Sequence, residues 1–193
     1  IQRDVNIALI NELHQMYTLL GIDTHEVIEA ASTKWNFMKL KPGLVGGHCI
    51  SIDPYYLMHK SKMLGYSPDI MIKAREVNEG MGDWVVSNFF SYIKQKNIDL
   101  HSTNITFQGY TFKENCSDIR NTKVRELIFS LKDKGANVSV WDPLLELAEL
   151  DNLESQGIKV YRTVPTDVQF AFLCVPHDEI LEFLEAYEGP VFD

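Results

Sequence analysis

The run VQFAFLCVP, residues 168–176, constrains the fold of this chain more than any other stretch. It is almost wholly apolar, shows no alternation with polar residues, and ends on a proline. A strand of that kind is covered on both faces, as strands of a parallel sheet are. Parallel neighbours must be joined by crossovers, usually helical, and the preceding sequence supplies them. ITFQGY (105–110) reads as a short strand, and TKVRELIFSLKDKG (122–135) as a helix terminated by Gly135. NVSVWDP (137–143) reads as a second strand ended by Pro143, LLELAELDNLESQG (144–157) as a short helix and IKVY (158–161) as a short strand. DEILEFLEAY (178–187) closes the chain as a helix. Strands alternating with helices predict an α/β sheet with right-handed crossovers.

Before residue 97 the rhythm is helical. Val5, Leu9, Leu13, Met16 and Leu20 recur at spacings of three and four, an apolar stripe on one helix, with Gly21 in the stop position. DTHEVIEAAS (23–32) restarts a helix, with Asp23 or Thr24 as N-cap. STKWNFMKLKPGLVGGHCISID (32–53) has no period and reads as a long loop, a place where function concentrates. Pro54 suits the first turn of a helix running toward Leu64. Ser67 as cap and Pro68 at the first position then open a long helix, in which Gly80 and Gly82 predict a kink or close helix packing. The chain therefore divides into residues 1–96, helical, and 97–193, α/β.

The formal charge of −9 argues against nucleic acid or an anionic membrane surface as partner. No apolar run approaches the length of a membrane span. Cys49, Cys116 and Cys174 are odd in number and lack CxxC spacing, which fits a reducing cytoplasm better than a disulfide framework.

Three features offer chemistry. Cys49 stands in GGHCISID (46–53), after two glycines and beside His48. It reads as a nucleophile, a packed thiol or, with His48 and Asp53, a metal ligand. Zinc spacing disfavours the last, and no metal is expected. Second, GYTFKENCSDIRNTK (109–123) lies where α/β folds bind ligands, beyond the end of the first strand. It is not GxGxxG, so the dinucleotide fingerprint is absent. Lys113 and Arg120, with Asn121 or Thr122 capping the next helix, read as a phosphate cradle; the alternative is that Lys113 pairs with Glu114 or Asp118 on the surface. Third, Asp142 ends the second strand, where it could meet a ribose or cap the turn before Pro143.

PGLVGGHCISIDPYYL and GYTFKENCSDIRNTKV, in this order, resemble the UDP-glucose/GDP-mannose dehydrogenase family. RDVNIALINEL and ASTKWNF are similar to its UDP-N-acetylhexosamine 6-dehydrogenase branch, particularly the capsule and Vi-antigen type. The resemblance implies a fold: an N-terminal all-helical dimerisation region, here 1–96, followed by a Rossmann-like α/β domain with a mainly parallel sheet, here 97–193. It also implies that a dinucleotide-binding domain precedes Ile1, that the family's catalytic Lys and Asn lie there, and that this chain alone is inactive.

The implied reaction oxidises the C6 hydroxyl of a UDP-N-acetylhexosamine to a carboxylate with two NAD, for capsule or surface polysaccharide synthesis. A thiolate captures the aldehyde as a thiohemiacetal, which is oxidised to a thioester and hydrolysed. By the match of motifs, Cys49 is that nucleophile and Asp53 the carboxylate that activates water or supports the acid–base steps. Gly46 and Gly47 let the backbone approach the sugar; Lys41 and Gly43 belong to the loop around the substrate diphosphate. Phe112 and Lys113 contact the nucleotide sugar, and Arg120 reaches NAD. His48 marks the branch without a defined role. A cytoplasmic homodimer joined through the helical region is implied. The competing expectation is a non-catalytic, dimeric UDP-sugar-binding module.

Overall fold

A computed structural model describes all of residues 1–193. The chain forms two compact units, Ile1–Met81 and Gly82–Asp193. The first contains α1 (Gln2–Leu20), α2 (Thr24–Ser32), α3 (Asp53–Met63) and the start of α4 (Asp69–Gln95). The second takes the rest of α4, then β1 (Asn104–Gln108), α5 (Val124–Asp133), β2 (Asn137–Trp141), α6 (Leu147–Ser155), β3 (Lys159–Tyr161), β4 (Phe170–Leu173), α7 (Asp178–Glu185) and β5 (Val191–Phe192).

The helix boundaries have local causes. Gly21 closes α1 in the left-handed conformation, φ 68°. Asp23 caps α2, its carboxylate accepting from the amides of His25 and Glu26. Pro54 sits in the first turn of α3. After α5, Gly135 is left-handed and its amide bonds to Lys132 O, while the Ala136 amide bonds to Leu131 O. That pair is the Schellman closure. Helix α4 begins at Asp69, one residue later than expected, and Ser67 donates to the Asp69 carboxylate. Gly80 and Gly82 do not mark a close approach. A Cβ at Gly80 would meet nothing within 4 Å, and one at Gly82 only Leu127 at an ordinary 3.8 Å.

The sheet runs β3-β2-β1-β4-β5, every pair parallel. Chain order moves from β1 outward to β3 on one side, then restarts with β4 on the other. The topological switch point therefore lies between β1 and β4, where open α/β sheets bind ligands beyond the strand ends. Phe107 and Phe172, in register, stack at 4.8 Å. Phe89 of α4, fully buried, packs against Phe170, Phe172 and Phe192. Burying aromatics of this size contributes roughly 1.5–3 kcal/mol each, so the end of α4 belongs to the core of the second unit.

The first unit distributes its apolar surface differently. The buried residues of α1 are Asp4, Ala8, Ile10 and Asn11. From the stripe seen in the sequence, Leu9, Met16 and Leu20 are exposed. Periodicity located the helix correctly but the stripe is not the face that this chain buries. The large exposed apolar side chains lie in residues 1–81, except for Leu147, Val164 and Leu181.

Candidate functional site

The candidate residues fall on two segments, one in each unit. In the first unit, a buried polar network holds the loop that leads to Cys49. Asn11, fully buried in α1, accepts from the Gly43 amide at 2.8 Å and donates to the Gly43 carbonyl at 3.0 Å. The same Asn11 amide donates to Asn78 Oδ1 at 3.0 Å, and Asn78 donates to Asp4. Arg75, 3% exposed, pairs with Asp4 at 2.6 Å and also with Glu79. Removing one partner of a buried pair of this kind leaves an uncompensated charge and is strongly destabilising. Asp4, Asn11, Arg75 and Asn78 escaped the sequence reading. The available signal was the spacing of Asp4, Ala8 and Asn11, one helical face made of small and polar residues.

Beyond Gly43 the chain turns into α3. Gly47 is buried with φ 83°, a conformation that favours glycine, and its carbonyl accepts from Ser51 Oγ at 2.5 Å. The Cys49 carbonyl accepts from the Ile52 and Asp53 amides, at 3.1 and 2.8 Å. Cys49 and Asp53 are thus the two ends of one helical turn at the start of α3. Cys49 is exposed, which removes the packed-thiol alternative. Asp53, also exposed, lies in the first turn, where a carboxylate is favourable. Lys41, Gly43 and His48 are exposed, and Gly46 is half-buried. No group of three or more His, Cys, Asp or Glu could hold a metal ion. A cavity of about 390 Å³ opens between α3 and α4, lined by Tyr55, Met58, Ile72 and Arg75 among others, and does not include Cys49.

In the second unit the loop after β1 is held from beneath. Asp142 is buried at the end of β2. Its carboxylate accepts from the amides of Tyr110 (2.6 Å), Thr111 (3.0 Å) and Leu144 (2.8 Å). Burial alone would raise its pKa, but the bonds from His177, Tyr110 and Leu144 outweigh burial and hold the carboxyl below its ordinary range. Asp142 therefore does what its capping alternative described, and its oxygens are committed to protein. Tyr110 is buried, its hydroxyl donating to Glu149 at 2.8 Å, and burial pushes its pKa up to about 12.

The exposed part of the loop carries Phe112, Lys113 and Arg120. The Lys113 ammonium lies 5.6 Å from the centre of the Phe112 ring, a cation–π distance. Arg120 pairs with Asp118, through Nε at 3.0 Å and Nη2 at 2.5 Å. Asn115 and Asn121 have left-handed φ of 54° and 53°. Neither Asn121 nor Thr122 is the N-cap of α5; Lys123 stands there without a side-chain capping bond. Thr122 donates to the Tyr110 carbonyl and receives the Val124 amide. The amides of Tyr110, Thr111 and Val124 at this strand–helix turn are thus taken by Asp142 and Thr122. These residues do not fit the glycine-turn pyrophosphate site of a dinucleotide fold.

A parallel sheet with a polar, loop-borne surface beyond its central strand defines a Rossmann-like α/β protein. Residues 1–80 match the central domain of the UDP-glucose/GDP-mannose dehydrogenase family, and residues 106–192 match its UDP-binding domain. The chain belongs to this family. It is 40% identical to Protein CapL of Staphylococcus aureus over 198 residues, covering 100% of this chain and 45% of the relative. It is 50% identical over 142 residues to UDP-N-acetyl-D-glucosamine 6-dehydrogenase of Pseudomonas aeruginosa, covering 74% and 34%. Among solved structures, the UDP-D-ManNAc dehydrogenase of Pyrococcus horikoshii superposes with a TM-score of 0.75 at 26% identity, covering 92% of this chain and 40% of that one. The chain spans less than half the length of these relatives.

Proposed function

We propose that the chain is the central and UDP-binding portion of an NAD-dependent UDP-N-acetylhexosamine 6-dehydrogenase serving capsule or surface polysaccharide synthesis. The observation that carries this is Cys49: exposed, one helical turn ahead of Asp53, and inside the segment that matches the family's central domain. Relatives named for this activity on N-acetylglucosamine and N-acetylmannosamine support the substrate class.

In this reading the Cys49 thiolate adds to the C6 aldehyde carbon of the sugar. A C–S bond forms, and the carbonyl oxygen takes a proton. After oxidation to the thioester, water attacks the acyl carbon, the C–S bond breaks and the thiolate returns. Asp53 takes the proton of that water or orders the groups that do. Phe112 and Lys113 receive the nucleotide sugar, with Lys41, Gly43, Gly46 and Gly47 along the loop that precedes Cys49. The dinucleotide supplies the hydride acceptor; Arg120 is the one residue of this chain assigned to it.

The exposed Leu9, Met16 and Leu20 on α1 support a homodimer formed through the helical region, because apolar side chains grouped on one helix favour burial against a partner. We place the protein in the cytoplasm; no helix is long and apolar enough to cross a membrane.

The test is Cys49→Ser in the protein joined to its dinucleotide-binding portion. Acid formation stops while UDP-sugar binding persists; unchanged turnover would remove Cys49 from the reaction. The second reading, a UDP-sugar-binding module without catalysis, is favoured by the UDP-binding match lying wholly within this chain. Acid formation that depends on Cys49 rejects it.

A further inference from the structure

His177 is buried, 1% exposed, at the start of α7, just beyond β4. Its ring is engaged on both nitrogens. Nδ1 lies 2.9 Å from the Asn115 backbone amide, which can only donate. Nδ1 is therefore an acceptor without a proton, and the proton of the neutral ring sits on Nε2. Nε2 faces Asp142 Oδ2 at 3.1 Å and Thr111 Oγ1 at 3.0 Å. Thr111 Oγ1 in turn donates to the Lys113 carbonyl at 3.1 Å. One imidazole thus holds residues 111 and 115, the two ends of the short segment that carries Phe112 and Lys113.

The ring has help from its neighbours. Asn115 Nδ2 donates to Asp178 Oδ1 at 3.0 Å, and the Asp178 amide donates to Asn115 Oδ1 at 3.2 Å. Asn115 makes these contacts at a left-handed φ of 54°, a conformation that asparagine adopts more readily than other residues outside glycine. The loops being joined are those after β1 and after β4, the two that flank the topological switch point of the sheet. A ligand bound there rests on the geometry that His177 imposes.

We propose that His177 is a positioning residue, bridging the β1 and β4 loops through its Nε2–H tautomer so that Phe112 and Lys113 are presented to the nucleotide sugar. The proposal rests on the functional reading above and adds to it a residue that touches no substrate. Neutral side chains can separate the two halves of the bridge. Asn at 177 places an amide oxygen near the position of Nδ1 and retains an acceptor for Asn115. Gln extends toward Asp142 and lacks that acceptor.

The experiment is UDP titration calorimetry on the wild type and on His177→Asn, His177→Gln and His177→Ala, with thermal melting of each and NMR of the imidazole nitrogens and the Asn115 amide. The expected wild-type spectrum shows an unprotonated Nδ1 and a slowly exchanging Asn115 amide. Affinity for UDP falls about tenfold or more in the Gln and Ala variants, the scale of one lost ordering hydrogen bond. The Asn variant recovers most of it, although its melting temperature matches that of Gln. Equal affinities in all four proteins, or affinities that simply follow melting temperature, overturn the proposal. Failure of the functional reading has a different signature: the wild type itself would not bind UDP, which overturns both.

Discussion

Asn11 satisfies both backbone hydrogen-bonding groups of Gly43, 32 residues away, from a fully buried position in α1. The side-chain amide imitates a strand partner. It thereby ties the loop before Cys49 to the Asp4–Arg75–Asn78 network. Asn11→Ala should remove the donor to Asn78 Oδ1 and the partner of both Gly43 backbone groups, and lower stability by about 1–3 kcal/mol in urea unfolding. Asn11→Asp, nearly the same shape, should cost more, because a carboxylate would face the Gly43 carbonyl and Asn78 Oδ1. An alanine variant as stable as the wild type would show that the loop is held by other means.

Gly109 follows β1 with φ 89°, and a Cβ there would lie 2.5 Å from both the Cβ and the carbonyl oxygen of Val175. Backbone cannot yield as a flexible side chain can. Gly109→Ala is expected to destabilise the protein by roughly 2–5 kcal/mol through conformational strain and overlap together. A thermal midpoint within a degree or two of the wild type would contradict this.

Acid stability should depend on Asp142. Its folded-state pKa is held below the unfolded value, so its contribution is complete above about pH 4 and is lost as pH falls through the folded pKa. Asp142→Asn should lower stability at pH 7 by about 2–4 kcal/mol, since three backbone amides and His177 lose a charged acceptor. It should also flatten the decline below about pH 4. Parallel acid profiles for the two proteins would show that other carboxyls carry the effect.

The cysteines should separate by reactivity with a disulfide reagent. Cys49 is exposed and is expected to react first in the native protein. Cys174 is half-exposed by surface area, yet desolvation pushes its thiol pKa well above the ordinary range, so it should react only on unfolding. Cys49→Ser removes the fast phase. A fast phase that survives this substitution would place the reactive thiol elsewhere.

Much of the second unit is legible in the chain before any coordinates. The runs at 137–143, 158–161 and 168–176 each contain the strand that forms there, the run at 105–110 misses only the first residue of β1, and Gly135 ends α5 as expected. Strand β5 is not legible, because two residues cannot display a period. It exists through its pairing with β4 and the packing of Phe192 against Phe89 and Tyr92. GGHC and FKEN mark the candidate site, since motif and turn chemistry are local. Asn11, Asp142 and His177 stayed hidden, because each acts on backbone 31 to 62 residues away.

The sequence by itself determined the alternation of helix and strand, the helix stops at Gly21 and Gly135, and the family to which the two motifs point. These follow from side-chain period and backbone conformational preference, which operate within a few residues. Only the tertiary structure decided which face of α1 is buried, that Cys49 is exposed, and that Asp142 grips amides instead of reaching outward. Those outcomes depend on which groups meet across long stretches of chain. A buried amide, carboxylate or imidazole is tolerated only when its partners arrive from elsewhere in the fold.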